Sequence, residues 1–215
     1  MVGTVVAMLA VTEQLVRAGH GMVDLAASHG PWMQWNLLLA LVPVAMAWVL
    51  FGNGRRHHVG WWCGVFAFVV FLPNAPYVLT DSIHLLDDIR RTSSDLFVIG
   101  AIIPLYASFF LVGMGCYVAA LNRAVGEFAR TDRAQRQLEL GSHVLCAVGI
   151  FLGRVLRYNS WQVVTHPLRI LRAIPTALSP AGLAFIVLTF AALVVGTAVL
   201  RAAVHRTEAK IRKFV

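Results

Sequence analysis

The chain has 215 residues, of which 59% are hydrophobic and only 13% charged, with a formal net charge of +8. Soluble domains run to about 25% charged residues, so a water-soluble fold has no place for this much apolar surface and lipid is the expected solvent. The basic residues fall between apolar stretches and no recognition motif accompanies them, which points to membrane orientation rather than nucleic-acid binding.

Six apolar stretches follow one another, at residues 2–17, 33–51, 59–79, 96–120, 138–156 and 182–200. Most approach the ~20 residues of a spanning helix. The first carries Glu13, Gln14 and Arg17, which suits a helix lying in the interface. The expected fold is therefore an all-α polytopic transmembrane bundle of six spans, or five if the first segment is interfacial. No internal repeat, low-complexity linker or soluble segment divides residues 1–215, so a single domain is expected. The N-terminus has no Lys or Arg ahead of its apolar run, unlike a secretory signal. Cys63, Cys116 and Cys146 lie inside apolar runs without a CxxC pair and read as small packing residues.

Orientation follows from the loops. Arg55, Arg56, Arg123, Arg130, Arg133, Arg136, Arg201, Arg206, Lys210, Arg212 and Lys213 fall on one side, eleven basic residues. Arg17, Arg90, Arg91, Arg154, Arg157, Arg169 and Arg172 fall on the other, seven. The positive-inside rule makes the first side, with the C-terminus, cytoplasmic. Integral, multi-pass residence in a cell membrane is the expected localisation.

The third stretch ends in FLPNAPYVLTDSIHL, residues 71–85. Pro73 lies ~21 Å up a helix that starts near Val59, inside the outer half of a ~30 Å hydrocarbon core. Two prolines three residues apart each remove a donor and push the preceding residue out of the helical region. The helix is expected to break at Pro73 and Pro76, and broken backbone at that depth belongs against protein or a wet cavity. Asn74 can bond freed carbonyls. Thr80 or Asp81 is positioned to cap a short helix over Ser82 to Arg91. Asp81, His84 and Asp88 share one face of that helix. They read as a polar face with a His–Asp hydrogen bond or, alternatively, as one imidazole and two carboxylates around a metal.

In GIFLGRVLRYNSWQ, residues 149–162, Gly149 and Gly153 form a GxxxG pair that permits close helix approach. Arg154 sits ~24 Å along its helix, in the outer half of the bilayer, and Arg157 follows on the same face. Intramembrane arginines point inward to a polar partner or snorkel to headgroups; Asp81 and Asp95 are the candidate partners. Beyond Asn159, Ser160 and Trp161, the stretch THPLRILRAIPTAL puts Leu168, Leu171 and Ile174 at helical spacing, as an interfacial amphipathic connector.

Asn36, Asn74, Tyr77, Thr80, Asp81, His84, Asp95, Arg154, Arg157, Asn159, Ser160 and Trp161 are thus expected at one depth, near the outer membrane edge. Polar groups concentrated at one depth predict an outward-facing pocket.

The strings WNLLLALVP at 35–43, FLPNAPYVLTDSIHL, the following Asp95 and GIFLGRVLRYNSW resemble the signatures of a prokaryotic multi-spanning membrane family, domain of unknown function thirteen sixty-one. The resemblance covers the chain from the second stretch to the last and implies membrane residence, with no established activity. The family pattern usually continues NSWD where this chain has Gln162, and carries an aromatic pair where this chain has Ser93 and Ser94. A catalytic or metal-ligating role for that aspartate would be impaired here; a loop contact would not.

Three functions compete. A binding or transport protein would hold a small anionic ligand or a lipid headgroup between Arg154, Arg157 and the broken helix. A membrane enzyme on lipid-linked substrates would use Asp81 or His84 as general base and the arginines on phosphate. A structural or assembly protein would use the polar cluster only to lock helices. The cofactor is left open; haem binding is a remote fourth reading, because no convincing pair of facing mid-membrane histidines is present.

Overall fold

A computed structural model describes residues 2–52 and 58–212, with side chains described from residue 23 onward except 26. Arg55, Arg56 and Lys213, three of the residues used for orientation, lie outside the described residues, as does the side chain of Arg17.

Every regular element among the described residues is helical. Helix α1 runs from Val2 to Leu50, α2 from Val59 to Phe71, α3 from Ser82 to Arg91, α4 from Asp95 to Phe97 and α5 from Ile103 to Phe128. Helix α6 spans Asp132–Arg154, and short helices α7 (Gln162–Thr165), α8 (Pro167–Arg172) and α9 (Ile174–Ala177) lead into α10, Pro180–Ile211. Among the described residues, four helical stretches are long and apolar enough to cross a membrane: Ala27–Leu50, Val59–Arg91, Asp95–Phe128 and Pro180–Ile211.

This differs from the sequence reading at both ends. The first two apolar stretches belong to one 49-residue helix, without the turn a separate first span needs. The Asp132–Arg154 helix opens with Asp132, Arg133, Gln135, Arg136, Gln137 and Glu139, which leaves only its second half apolar. Helix α10 runs eleven residues past Leu200, so Arg201, Arg206 and Lys210 lie on a helix rather than in a loop.

The prolines act more gently than a break. The α-helical bonding of α2 stops at Phe71, and the chain keeps winding through two tighter 3₁₀ turns, Leu72–Asn74 and Pro76–Asp81, before α3 resumes. Each proline sits in the first turn of its 3₁₀ segment, where its missing N–H has no partner to lose. Pro73, Ala75, Pro76 and Val78 are buried. Gly113 on α5 makes this possible: a Cβ there would collide with Val78 and sit 3.0 Å from the Ala75 carbonyl oxygen. A second irregularity, the π turn Val98–Ile102, precedes Pro104 in the same way.

Helix α5 is the hub, packed against α1, the Pro76–Asp81 turn, α6 and α10. Ala40 and Ala47, two helical turns apart on α1, are fully buried and let α1 approach closely. One core collects Phe51, Trp61, Phe68, Met114, Tyr117, Leu121 and Leu193; another collects Met33, Val78, Ile102, Tyr106 and Phe109 at the opposite end. Apolar side chains such as Leu38, Phe66, Leu111 and Leu188 face outward, as lipid-facing positions do.

Candidate functional site

The GxxxG pair of α6 packs on the 3₁₀ turns. A Cβ on Gly149 would stand 2.6 Å from Cγ of Pro73, and one on Gly153 would stand 3.3 Å from the Tyr77 ring. The two glycines thus bring α6 against the proline segment along one line.

At the end of that line Asp81 is buried, with 2% of its surface exposed. Its Oδ2 accepts from Asn36 Nδ2 at 3.0 Å and its Oδ1 from Arg154 Nη1 at 3.2 Å. Arg154 Nη2 also donates to the Thr80 carbonyl at 3.3 Å, and its guanidinium lies 6.0 Å from the Tyr77 ring centroid. One carboxylate therefore ties together α1, the 3₁₀ turn and α6. Because Asp81 is committed in this way, it makes no side-chain cap on α3, and Thr80 Oγ1 donates instead to the Tyr77 carbonyl at 2.8 Å. The expected caps are absent for that reason.

Beside this junction lies a cavity of about 800 Å³. Of the twelve residues expected at a pocket, Asn36, Asn74, Tyr77, His84, Arg154, Arg157, Asn159, Ser160 and Trp161 line it. Asn74 Nδ2 faces Ser160 Oγ at 3.3 Å across the cavity wall. Thr80 and Asp81 stand behind the wall through their bonds to Arg154. Asp95 is elsewhere, exposed in the first turn of α4, and is not the partner of Arg154.

Arg157 departs from the sequence reading. Helix α6 ends at Arg154, so Arg157 is not on its face. Tyr158 N–H returns to the Leu152 carbonyl at 3.0 Å, and Arg157 takes φ 57° in the reversal. Helix ends commonly close through a left-handed residue, usually glycine. Arginine at that position carries backbone strain of ~1–3 kcal/mol. Among the described residues it has no hydrogen bond or ion pair, whereas Arg154 is held by Asp81.

The Asp81–His84–Asp88 stripe is split. Asp88 Oδ2 accepts from Tyr106 Oη at 2.8 Å and lies 2.9 Å from His29 Nε2, while the His84 ring packs at a 45° tilt with its centroid 5.2 Å from that of Trp32. The three side chains turn to three different neighbours. Among the described residues no group of three His, Cys, Asp or Glu side chains is placed to hold a metal ion.

Gln162 has a plain role. Its Oε1 accepts the Asn159 backbone N–H at 2.8 Å, closing the turn that carries Asn159 and Ser160. It does not line the cavity. The connector that follows forms α7, α8 and α9 in place of one helix, with Leu168, Leu171 and Ile174 exposed.

Sequence reading missed two groups. Trp35, Leu39, Phe71, Leu152 and Tyr158 are among the further residues of the cavity wall. At the other end, Arg201 Nη1 meets Glu139 Oε1 at 2.7 Å and Nη2 meets Asn122 Oδ1 at 2.6 Å. Buried His143 lies 3.6 Å from Glu139, and its Nδ1 bonds Tyr117 Oη at 2.7 Å. The i,i+4 spacing of Glu139 and His143 was the available signal.

A family model described as a protein of unknown function, DUF1361, matches residues 35–195, and the chain belongs to that family. Comparison with curated proteins and with solved structures returned no match.

Proposed function

We propose that this member of the family is a multi-pass integral protein of a prokaryotic cytoplasmic membrane, with its C-terminus in the cytoplasm. In this reading it binds or carries a small anionic or lipid-headgroup ligand in the cavity beside Asp81, near the extracytoplasmic face. One observation supports it above the rest: Arg157 stands on the cavity wall in a left-handed conformation without a counter-ion. A cation kept in a strained backbone position, beside the amides and hydroxyls of Asn74, Asn159 and Ser160, suits an incoming anion.

The test is binding of phosphate-bearing ligands to purified protein and to Arg157→Gly. Glycine relieves the left-handed residue while removing the charge, so the variant keeps its fold. Loss of anion binding with unchanged melting supports the reading; unchanged binding overturns it. Reporter fusions at the C-terminus test the orientation, a periplasmic signal being the adverse result.

A second reading has its own support. The closed Asn36–Asp81–Arg154 junction is what a helix lock looks like. For Arg154 and Asp81 we adopt it: they hold the wall, and Arg157 meets the ligand. An enzymatic reading gains less, because Asp81 is occupied by two donors and His84 packs against the Trp32 ring.

A further inference from the structure

We infer that the ligand is an amphiphile drawn from the bilayer, with a singly charged phosphodiester head at Arg157 and the head-proximal part of a hydrocarbon tail along the apolar end of the cavity. This rests on the reading of the cavity as an anion site and names its ligand class.

Three observations carry it. The first is how the lining divides by depth. Going from Arg154 back to Gly149 on α6 descends ~7.5 Å, and from Asn36 to Leu39 on α1 descends ~4.5 Å. Of the polar lining, Asn36 and Arg154 meet at Asp81 at the outer end, with Arg157 just beyond Arg154, while Asn74, 3.3 Å from Ser160, sits one residue along from Pro73 between that end and the deeper one. The deeper end is formed by Leu39, Val70, Phe71, Pro73, Gly149 and Leu152, with no polar side chain among them.

The second is size. About 800 Å³ lies in the ~300–1,000 Å³ range of sites that enclose an entire small molecule, several times what an inorganic anion fills. A free anion has no use for an apolar half, and water there has few partners.

The third is the surroundings of the mouth. Trp35 and Ile83 on one side and Trp161 on the other are 62%, 50% and 58% exposed. Beyond them α3 exposes Leu86, and α8 exposes Leu168 and Leu171. Two short amphipathic helices with outward apolar side chains therefore flank the opening, the arrangement of segments lying at a lipid interface. A tail entering from the side stays in apolar surroundings throughout.

The charge of the head follows from the cations. Of the two arginines in the cavity lining, Arg154 is neutralised by Asp81, which leaves the Arg157 guanidinium as the uncommitted full charge of that lining. A single guanidinium matches one phosphodiester charge, with hydroxyl and amide groups around it for a polyol.

The experiment uses full-length protein in phosphatidylcholine nanodiscs. Phosphatidylglycerol, soluble glycerol 3-phosphate and inorganic phosphate are titrated separately, and retained ligand is read by native mass spectrometry. Phosphatidylglycerol is expected to bind at least about tenfold more tightly than either soluble anion, and Arg157→Gly to lower that binding about tenfold or more. Leu39→Trp, which fills the apolar end without touching the head, is expected to weaken the lipid and leave any soluble-anion binding unchanged. If soluble anions bind as tightly as the lipid and Leu39→Trp is silent, the site takes free anions and the amphiphile inference falls alone. If none of the three ligands binds above phosphatidylcholine, the anion reading falls, and this inference with it. Melting of both variants within a few degrees of the parent shows that folding does not account for the losses.

Discussion

The ring of Pro73 occupies the space where a side chain on Gly149 would stand. Its Cγ and Cβ lie 2.6 and 2.8 Å from the position a Cβ would take. Two sequence features of opposite reputation, a helix-disrupting proline and a helix-packing glycine, are the two halves of one contact. The pyrrolidine ring is rigid, so the fit leaves little room for adjustment.

Gly149→Ala is therefore expected to force α6 away from the Leu72–Asn74 turn. Overpacking of this kind costs ~1–3 kcal/mol. Gly141, on the same helix, has no neighbour among the described residues within 4 Å of where a Cβ would stand. Gly141→Ala is expected to be neutral or to stabilise by up to ~1 kcal/mol through helix propensity. Thermal unfolding of both variants in one detergent separates the contact from the propensity; equal melting of the two would remove the packing argument.

The Asp81–Arg154 pair is expected to behave as a structural element. Arg154→Ala leaves a buried carboxylate with only Asn36, and removing one partner of such a pair costs ~3–5 kcal/mol. Replacing both, as Asp81→Leu with Arg154→Met, should be much milder than the sum of the single changes. A double-mutant cycle read by unfolding gives the coupling. Additive effects would show that the 3.2 Å contact carries no energy.

Gln162→Asp restores the residue of the family pattern and is expected to change little, within ~0.5 kcal/mol. Both side chains offer an acceptor to the Asn159 N–H, and a carboxylate suits the start of the short helix α7. Melting and phosphatidylglycerol binding check it. A gain of a new activity on making the aspartate would mean that its role is chemical after all.

At the other end, Glu139 and Arg201 hold α6 to α10, with Asn122 of α5 as third partner. The side chains are 22% and 32% exposed, so screening reduces the pair. A coupling of ~1–2 kcal/mol is expected from a cycle of Glu139→Gln and Arg201→Met. Loss of the tie should also weaken the Tyr117–His143 contact beneath it, visible as broadened unfolding.

Particular residues show how far the sequence went. Its low charge and long apolar runs foretold helices long enough to span a membrane, because a backbone in lipid must satisfy its hydrogen bonds within each helix. Residue order along those helices was enough to put Asn74, Arg154 and Ser160 at one end, since rise per residue is fixed. The GxxxG spacing and the paired prolines were legible, although not as partners of each other. Tertiary structure alone decided which arginine is free. Asp81 and Asp95 looked equally able to meet Arg154, and only the packing of α6 on the 3₁₀ turns selects Asp81. Arg157 seemed to share the face of Arg154, yet the helix stops between them and turns it into a left-handed position on the cavity wall. Spacing rules hold while a helix lasts; where it ends, the long-range contacts set the direction of the next side chain.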